Sequence, residues 1–242
     1  MRIIKVSATD STNLYLKRLL LEDPGLEDTV VVADTQYEGR GQAGTTWLSE
    51  PGKNLTFSLL KTYNGLLVKD QFLISMATSL ALVGALKKNG IKNLAIKWPN
   101  DILSGASKIG GVLIENGLKG TSIRYSIIGI GLNVNQESFD GLKHVSSIKL
   151  LLGRQLELGA LLDTILEELA FYFKELHHSY HEKLVDPYHR LLFRKDQTSL
   201  FEVHGEVKTG IIRGVDASGQ LLVENAAGGI IPYGLKELRM LY

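Results

Sequence analysis

The segment Glu38 to Trp47, E-G-R-G-Q-A-G-T-T-W, constrains this chain more than any other. Gly39, Gly41 and Gly44 fall on the spacing G-x-G-x-x-G, directly after an apolar run, Thr29 to Asp34, that reads as a strand. In a doubly wound parallel sheet such a turn opens a helix whose N-terminus holds a pyrophosphate. An acidic residue about twenty positions further on then takes the ribose. Here T-T-W-L-S-E-P-G-K-N follows, with two β-branched residues, a proline and another glycine where the helix would begin, and K-T-Y-N-G lies where the acid belongs. The dinucleotide reading fails on context. What remains is a glycine-rich loop carrying Arg40. Glycines let the backbone close on a ligand, and a guanidinium offers a forked donor to carboxylate or phosphate. Taken alone, the motif fits a plain mobile loop better than a site.

The rest of the chain reads as ordinary globular protein. Its 242 residues, 44% apolar and 22% charged, suffice for one large domain and a small one. A formal net charge of +1 gives no global pull toward nucleic acid or anionic lipid. With no cysteine, disulfides, thiolate nucleophiles and cysteine zinc sites are excluded, which suits a reducing cytoplasm. The N-terminal apolar run is too short for a signal peptide. Gln71 to Leu86 is broken by Ser75, Thr78 and Ser79 and falls short of the ~20 residues of a membrane span, so it reads as a buried helix.

Arg2 to Val6 forms a strand by pattern, and T-D-S-T-N offers caps for the helix L-Y-L-K-R-L-L-L, which Pro24-Gly25 ends. N-L-T-F-S-L-L is a further strand, and Asp70 is expected to cap a long helix that Gly90 closes. A β run follows, L-A-I-K-W, K-I-G-G-V-L-I-E and S-I-R-Y-S-I-I-G-I-G-L-N-V, with turns at P-N-D, S-G-A-S and N-G-L-K-G. Ser146 to Phe193 is helical in pattern. From about Thr198, short strands alternate with H-G-E, D-A-S-G and N-A-A-G-G, which suggests a small barrel.

Three of these segments carry polar groups suited to a site. In K-W-P-N-D, Pro99 ends strand pairing and presents Asn100 and Asp101 at an edge, although these are also standard turn residues. In K-I-G-G-V-L-I-E, adjacent glycines weaken a strand unless something passes close by. Alternation puts Lys108 on the face of Gly110, where it can neutralise phosphate, or be a solvated lysine beside a bulge. G-I-G-L-N-V adds small residues and Asn133, whose amide can both donate and accept. His177 and His181 have the i, i+4 spacing of a metal pair, but with no third ligand evident a solvated helix face is the better reading.

Together and in order, S-T-N, Q-Y-E-G-R-G-Q-A-G-T-T-W, K-W-P-N-D, K-I-G-G-V-L-I-E and G-I-G-L-N-V resemble the catalytic domain of biotin protein ligases. That resemblance implies an α+β fold on a mixed sheet, related to class II aminoacyl-tRNA synthetases, over residues 1–195. An SH3-like β-barrel over 196–242 would follow. It implies a two-step reaction with Mg²⁺ and ATP, in which the biotin carboxylate attacks the α-phosphate and a carrier-domain lysine then takes biotin from biotinyl-5′-AMP. No enzyme nucleophile is required.

By the same resemblance, Ser11, Thr12 and Gln36 hold the biotin ureido head, with Asn13 and Gly39 in the same biotin-binding set. Gly111 and Gly131 form close-packed walls. Arg40 and Lys108 grip carboxylate and α-phosphate, and Gly41 and Gln42 donate from the loop. Trp47 belongs to the apolar enclosure and, with Arg40, Asn100, Lys108 and Asn133, to the nucleotide-binding set, in which Asn133 reads adenine. Asn100 and Asp101 serve the nucleotide, metal or incoming lysine, Asp101 as the group that deprotonates it.

The sequence departs from the family pattern at Gln42, Ala43 and Thr45, where further arginines are common, so phosphate gripping is expected to rest more on Lys108 and Mg²⁺. Only ten residues precede Ser11, so the DNA-binding domain of the bifunctional ligase–repressors is expected to be missing, and no operator binding is predicted. A homodimer through an exposed strand edge is an open expectation. The alternatives are a lipoate or octanoyl transferase-type enzyme and a non-catalytic biotin sensor. W-P-N-D with K-I-G-G-V-L-I-E speaks against the first, and retention of Arg40 and Lys108 against the second.

Overall fold

The computed structural model describes residues 1–176 and 181–242. A seven-stranded mixed sheet forms its centre. The strands are β1 (Arg2–Thr9), β2 (Thr29–Gln36), β3 (Leu55–Thr62), β4 (Leu94–Lys97), β5 (Asp101–Ser104), β6 (Ser107–Lys119) and β7 (Ser122–Leu132), arranged β1-β2-β3-β7-β6-β5-β4. Only β1 and β2 run parallel, with helix α1 (Thr12–Glu22) as their crossover; every other pairing is antiparallel.

Period-2 alternation divides the sheet's two faces. Phe57 and Leu59 of β3 point to the main core with Ile128 and Ile130. Leu60, with Val31 and Ile127, faces the opposite way and buries Leu16 of α1. The main core is roofed by α2 (Phe72–Lys88) and α4 (Leu158–Glu175). From Ile74 to Leu86 only Ser75 and Gly84 of α2 escape full burial, so the apolar run is a core helix, and none of the described helices is long and apolar enough to cross a membrane.

Some local expectations change. Gln71, not Asp70, occupies the N-cap of α2, because Val68–Asp70 first winds a 3₁₀ turn; Gly90, at φ 88°, ends the helix as expected. Asn116 and Gly117 lie inside β6, where a Gly117 Cβ would strike the Tyr125 ring, and the reversal comes at Gly120 instead. The helical stretch divides into α3 (Ile148–Leu152), α4 and α5 (His181–Leu191), with Gly153 in the left-handed conformation closing α3. His177 lies outside the described residues, as does any statement on the side chain of His181.

The tail forms a second, antiparallel sheet of β8 (Thr198–Val203), β9 (Glu206–Val215), β10 (Leu221–Glu224), β11 (Ile230–Tyr233) and β12 (Leu238–Leu241), in the order β11-β10-β9-β8-β12. Its inward side chains, Phe201, Val203, Ile212, Val215 and Leu221, join the same buried cluster as α2. Two hydrogen bonds cross the seam, and an aromatic pair between α2 and α5 packs beneath it. Trp98 Nε1 donates to the Gly219 carbonyl at 2.9 Å, and Phe72 meets Tyr188 edge-on at 5.8 Å. His189 Nε2 accepts the Val215 N–H at 3.0 Å. Burial lowers the pKa of His189, which favours the neutral ring this acceptor role requires.

Candidate functional site

A cavity of about 250 Å³ opens on the α1 face of the large sheet. Its inner end is built where β1 hands over to α1. Ser11 holds the N-cap position in an extended conformation, yet its side chain makes no capping hydrogen bond and lines the cavity instead. The Thr12 N–H donates to Gln36 Oε1 at 2.7 Å, tying the helix start to the end of β2. Asp10 braces this corner: its carboxylate accepts the Ser11 N–H at 2.7 Å and two bonds from Arg18, at 2.7 and 3.0 Å. The guanidinium holds the Asp10 carboxyl well below the usual carboxylate range.

Behind the wall runs a line of buried polar groups. Ser58 Oγ lies 2.6 Å from Thr12 Oγ1 and 2.6 Å from Asn13 Oδ1. Asn13 Nδ2 donates to Glu115 at 2.7 Å, and Lys17 Nζ donates to the other carboxylate oxygen at 2.5 Å. Ser11, Thr12, Asn13 and Ser58 are each at most 3% exposed. Gly129 makes the room, since a Cβ there would overlap Asn13 Oδ1.

The floor is glycine. A Cβ on Gly131 would enter the Trp47 ring, with Cζ2 at 2.6 Å, and one on Gly111 would lie 3.5 Å from Lys108 Nζ and 3.6 Å from the same ring. The loop carrying Trp47 is folded by its own backbone: Gly41 N–H to Thr45 O at 2.7 Å and Trp47 N–H to Gly39 O at 2.9 Å, with a bridge between Arg40 and Thr46. Gly39 has no space for a side chain against the Trp47 carbonyl. Thr45, at a position the resemblance associates with arginine, donates its hydroxyl to Gln42 O at 2.8 Å and so helps fold the loop. Trp47 Nε1 is buried with no hydrogen-bond partner among the described residues.

At the outer end Lys108 Nζ pairs with Asp101 at 2.7 Å and stands 5.7 Å from the centre of the Trp47 ring. Strand alternation predicts Lys108 on the face of Gly110, and this is corrected. Pairing shifts between Ile102/Gly110 and Leu103/Lys108, so Ile109 is the extra residue of a bulge and Lys108 turns toward Gly111. Its backbone is pinned on both sides, Lys108 N–H to His144 O at 2.7 Å and Ser146 N–H to Lys108 O at 3.0 Å. Asn100 clamps β6 by donating from Nδ2 to Val112 O at 2.6 Å.

Comparison with known proteins places this arrangement. The profile of the biotin/lipoate A/B protein ligase family matches residues 6–133, more than half of the chain. The chain belongs to this family. It is 35% identical over 132 residues to the biotin–[acetyl-CoA-carboxylase] ligase of Paracoccus denitrificans, covering 53% of this chain and 53% of that one. Over 114 residues it is 40% identical to the bifunctional ligase/repressor of Bacillus spizizenii, covering 47% of this chain and 35% of that one. The chain therefore spans about a third to a half of the length of these curated relatives. Among solved structures, the biotin protein ligase of Aquifex aeolicus in complex with biotin and ATP superimposes with a TM-score of 0.81 at 24% identity, over 99% of this chain and 98% of that one, which establishes the shared fold.

In this biotin/lipoate ligase family member, the sequence-derived residues Ser11, Thr12, Asn13, Gln36, Arg40, Gly41, Gln42, Trp47, Asn100, Asp101, Lys108, Gly111 and Gly131 all line the one cavity. Gly39 and Asn133 do not. Gly39 acts through the loop closure, and Asn133 Nδ2 donates to Ser146 O at 3.1 Å, holding the segment that pins Lys108. Sequence reasoning missed Thr56, Gly129 and, behind the wall, Ser58 and Glu115. A signal existed for two of them: Thr56 and Ser58 are alternating hydroxyls on one face of an otherwise apolar strand.

Proposed function

We propose that this chain is a biotin–protein ligase, joining biotin to one lysine of a biotin carboxyl carrier domain through biotinyl-5′-AMP. The observation that carries this reading is a single cavity with two chemically distinct ends. The inner end offers uncharged hydrogen-bonding groups, buried at Ser11, Thr12 and Asn13 and half-buried at Gln36, to a polar, neutral head. The outer end offers the Lys108 ammonium, with Arg40 on the loop at the mouth, to a carboxylate meeting a phosphate. A glycine floor and the Trp47 ring between them suit a flat bicyclic body and an aliphatic chain.

In step one, a biotin carboxylate oxygen attacks the α-phosphorus of ATP, the bond to the bridging oxygen breaks and pyrophosphate leaves. Lys108 and Arg40 neutralise charge as it builds on the α-phosphoryl oxygens. In step two the carrier lysine amine attacks the acyl carbon, AMP departs, and Asp101 receives the amine proton once Lys108 has turned to the phosphate. Both nucleophiles come from substrates, so the chain's contribution is positioning and charge. Mg²⁺, bound together with ATP, would supply screening of the phosphate charge. Asp101 is the carboxylate among the cavity-lining residues, which suits an ion held mainly by phosphate oxygens.

The same reading takes residues 1–195 as the catalytic domain and the five-stranded sheet as an SH3-like barrel. It puts the chain in the cytoplasm. β1, outermost in the large sheet and mostly exposed, supplies an edge for a homodimer.

The test is incubation with biotin, ATP, Mg²⁺ and a carrier domain, followed by intact mass, with lipoate in parallel. A gain of one biotinyl group per carrier is expected. Transfer of lipoate but not biotin, or no transfer, sinks the proposal.

A further inference from the structure

The inner end of the cavity is one hydrogen short. Two carbonyl oxygens bound it, Asn13 Oδ1 and Gln36 Oε1, and both can only accept. Asn13 is held in that sense because its Nδ2 donates to Glu115, and Gln36 because its Oε1 takes the Thr12 N–H. Between them stand two hydroxyls, Ser58 and Thr12, making three oxygen–oxygen contacts in a row: Asn13–Ser58 at 2.6 Å, Ser58–Thr12 at 2.6 Å and Thr12–Gln36 at 3.0 Å. Each hydroxyl carries one hydrogen, so one contact must go without. Facing lone pairs are least tolerable at the two short contacts, so with Asn13 held as an acceptor the favoured order runs Thr12 to Ser58 to Asn13, in preference to Thr12 donating to Gln36. The longest contact is left bare, with lone pairs of Thr12 Oγ1 and Gln36 Oε1 side by side on the cavity wall.

We infer that Glu115, with Lys17, is a positioning residue that fixes this order and thereby makes the inner end an acceptor for an N–H on the ligand's head group. The inference rests on the biotin reading above and deepens it. A cyclic urea brings the missing hydrogen, whereas a dithiolane ring has none to bring. The direction is set from outside the cavity. Lys17 is a pure donor, 2.5 Å from one oxygen of Glu115, and the carboxylate accepts at its other oxygen too, so Asn13 must present its amide nitrogen there. Neither Lys17 nor Glu115 lines the cavity; they act through Asn13 and Ser58.

Glu115→Gln separates this role from a packing role. The side chain keeps its shape, but Lys17 now claims the single carbonyl and the amide nitrogen turns to Asn13. Asn13 turns over in response, Ser58 donates to Thr12, and Thr12 donates to Gln36. The vacancy for a ligand hydrogen is filled from within. Biotin-dependent pyrophosphate release should show the KM for biotin raised about tenfold, the scale of one misdirected buried hydrogen bond, with kcat and the KM for ATP retained. Adding Lys17→Ala frees the glutamine carbonyl to face Asn13 again, and the KM should return to within about threefold of the native chain.

An unchanged KM for biotin in Glu115→Gln overturns the inference. So does a raised KM that Lys17→Ala fails to restore, or a rise shared equally by ATP, since each points to packing alone. A native chain that does not turn over biotin overturns the biotin reading first, and this inference falls with it.

Discussion

The two ends of the cavity are built on opposite principles. At the inner end the polar groups are fixed by other protein groups, in a chain that reaches from Gln36 through Thr12, Ser58 and Asn13 to Glu115. At the outer end, Arg40 is exposed on a loop closed by backbone hydrogen bonds, and Lys108 rests against Asp101, a partner it can leave. A preorganised end selects by shape and hydrogen-bond sense. A charged and less confined end responds to charge that appears during reaction. On the proposed ligase reading, recognition falls to the first end and chemistry to the second.

The comparison breaks most visibly at Lys108. Lys108→Ala should lower the rate of pyrophosphate release by about 10²–10³-fold while leaving the KM for biotin within a small factor, because the lost charge acts mainly on the transition state. Single-turnover pyrophosphate assays check this, and near-normal release would return Lys108 to a structural role.

Gly131→Ala tests the boundary between the ends. The added methyl enters the space of the Trp47 ring, so the ring and its loop must shift off the floor. Biotin KM should rise about tenfold, with overpacking costing about 1–3 kcal/mol if the ring stays. Steady-state kinetics and tryptophan fluorescence distinguish a moved ring from a strained one.

The smallest effect belongs to the brace at the inner end. Arg18→Ala removes the partner that holds the Asp10 carboxyl below its ordinary value. A depressed carboxylate stabilises the fold while ionised, so the native chain's advantage is full above the ordinary Asp pKa of about 3.9 and vanishes as pH falls through the depressed value. Urea unfolding of both chains from pH 7 to the acid limit should show a modest gap at neutral pH that closes in acid. A gap that widens in acid would contradict the assignment.

Much of this architecture is legible in the sequence because it is local. Strand and helix periods mark the main elements, and the site segments S-T-N, E-G-R-G-Q-A-G-T-T-W, W-P-N-D and K-I-G-G meet at one cavity. What escapes is whatever depends on partners across the fold. The bulge at Ile109 turns Lys108 toward Gly111, and strand alternation alone cannot register an extra residue set by pairing with β5. Asn133 reads as a free amide until Ser146 O is brought to it. Glu115 reads as the end of a strand, although its partner Asn13 lies 102 positions away in the chain. Nothing in the neighbourhood of either residue announces the other.

The bond from Trp98 to the Gly219 carbonyl has a bearing on modularity. The tail reads as a detachable unit, yet its D-A-S-G turn supplies the backbone oxygen that anchors the indole next to the P-N-D turn. Gly219, at φ 93°, also presents no side chain where Phe72 packs. A tail grafted from a relative therefore has to bring more than a stable sheet. It has to bring a bare left-handed turn at this one place, with its oxygen aimed inward. The boundary that looks like a seam in the sequence is thus also a point where the tail and the larger sheet are fitted to one another.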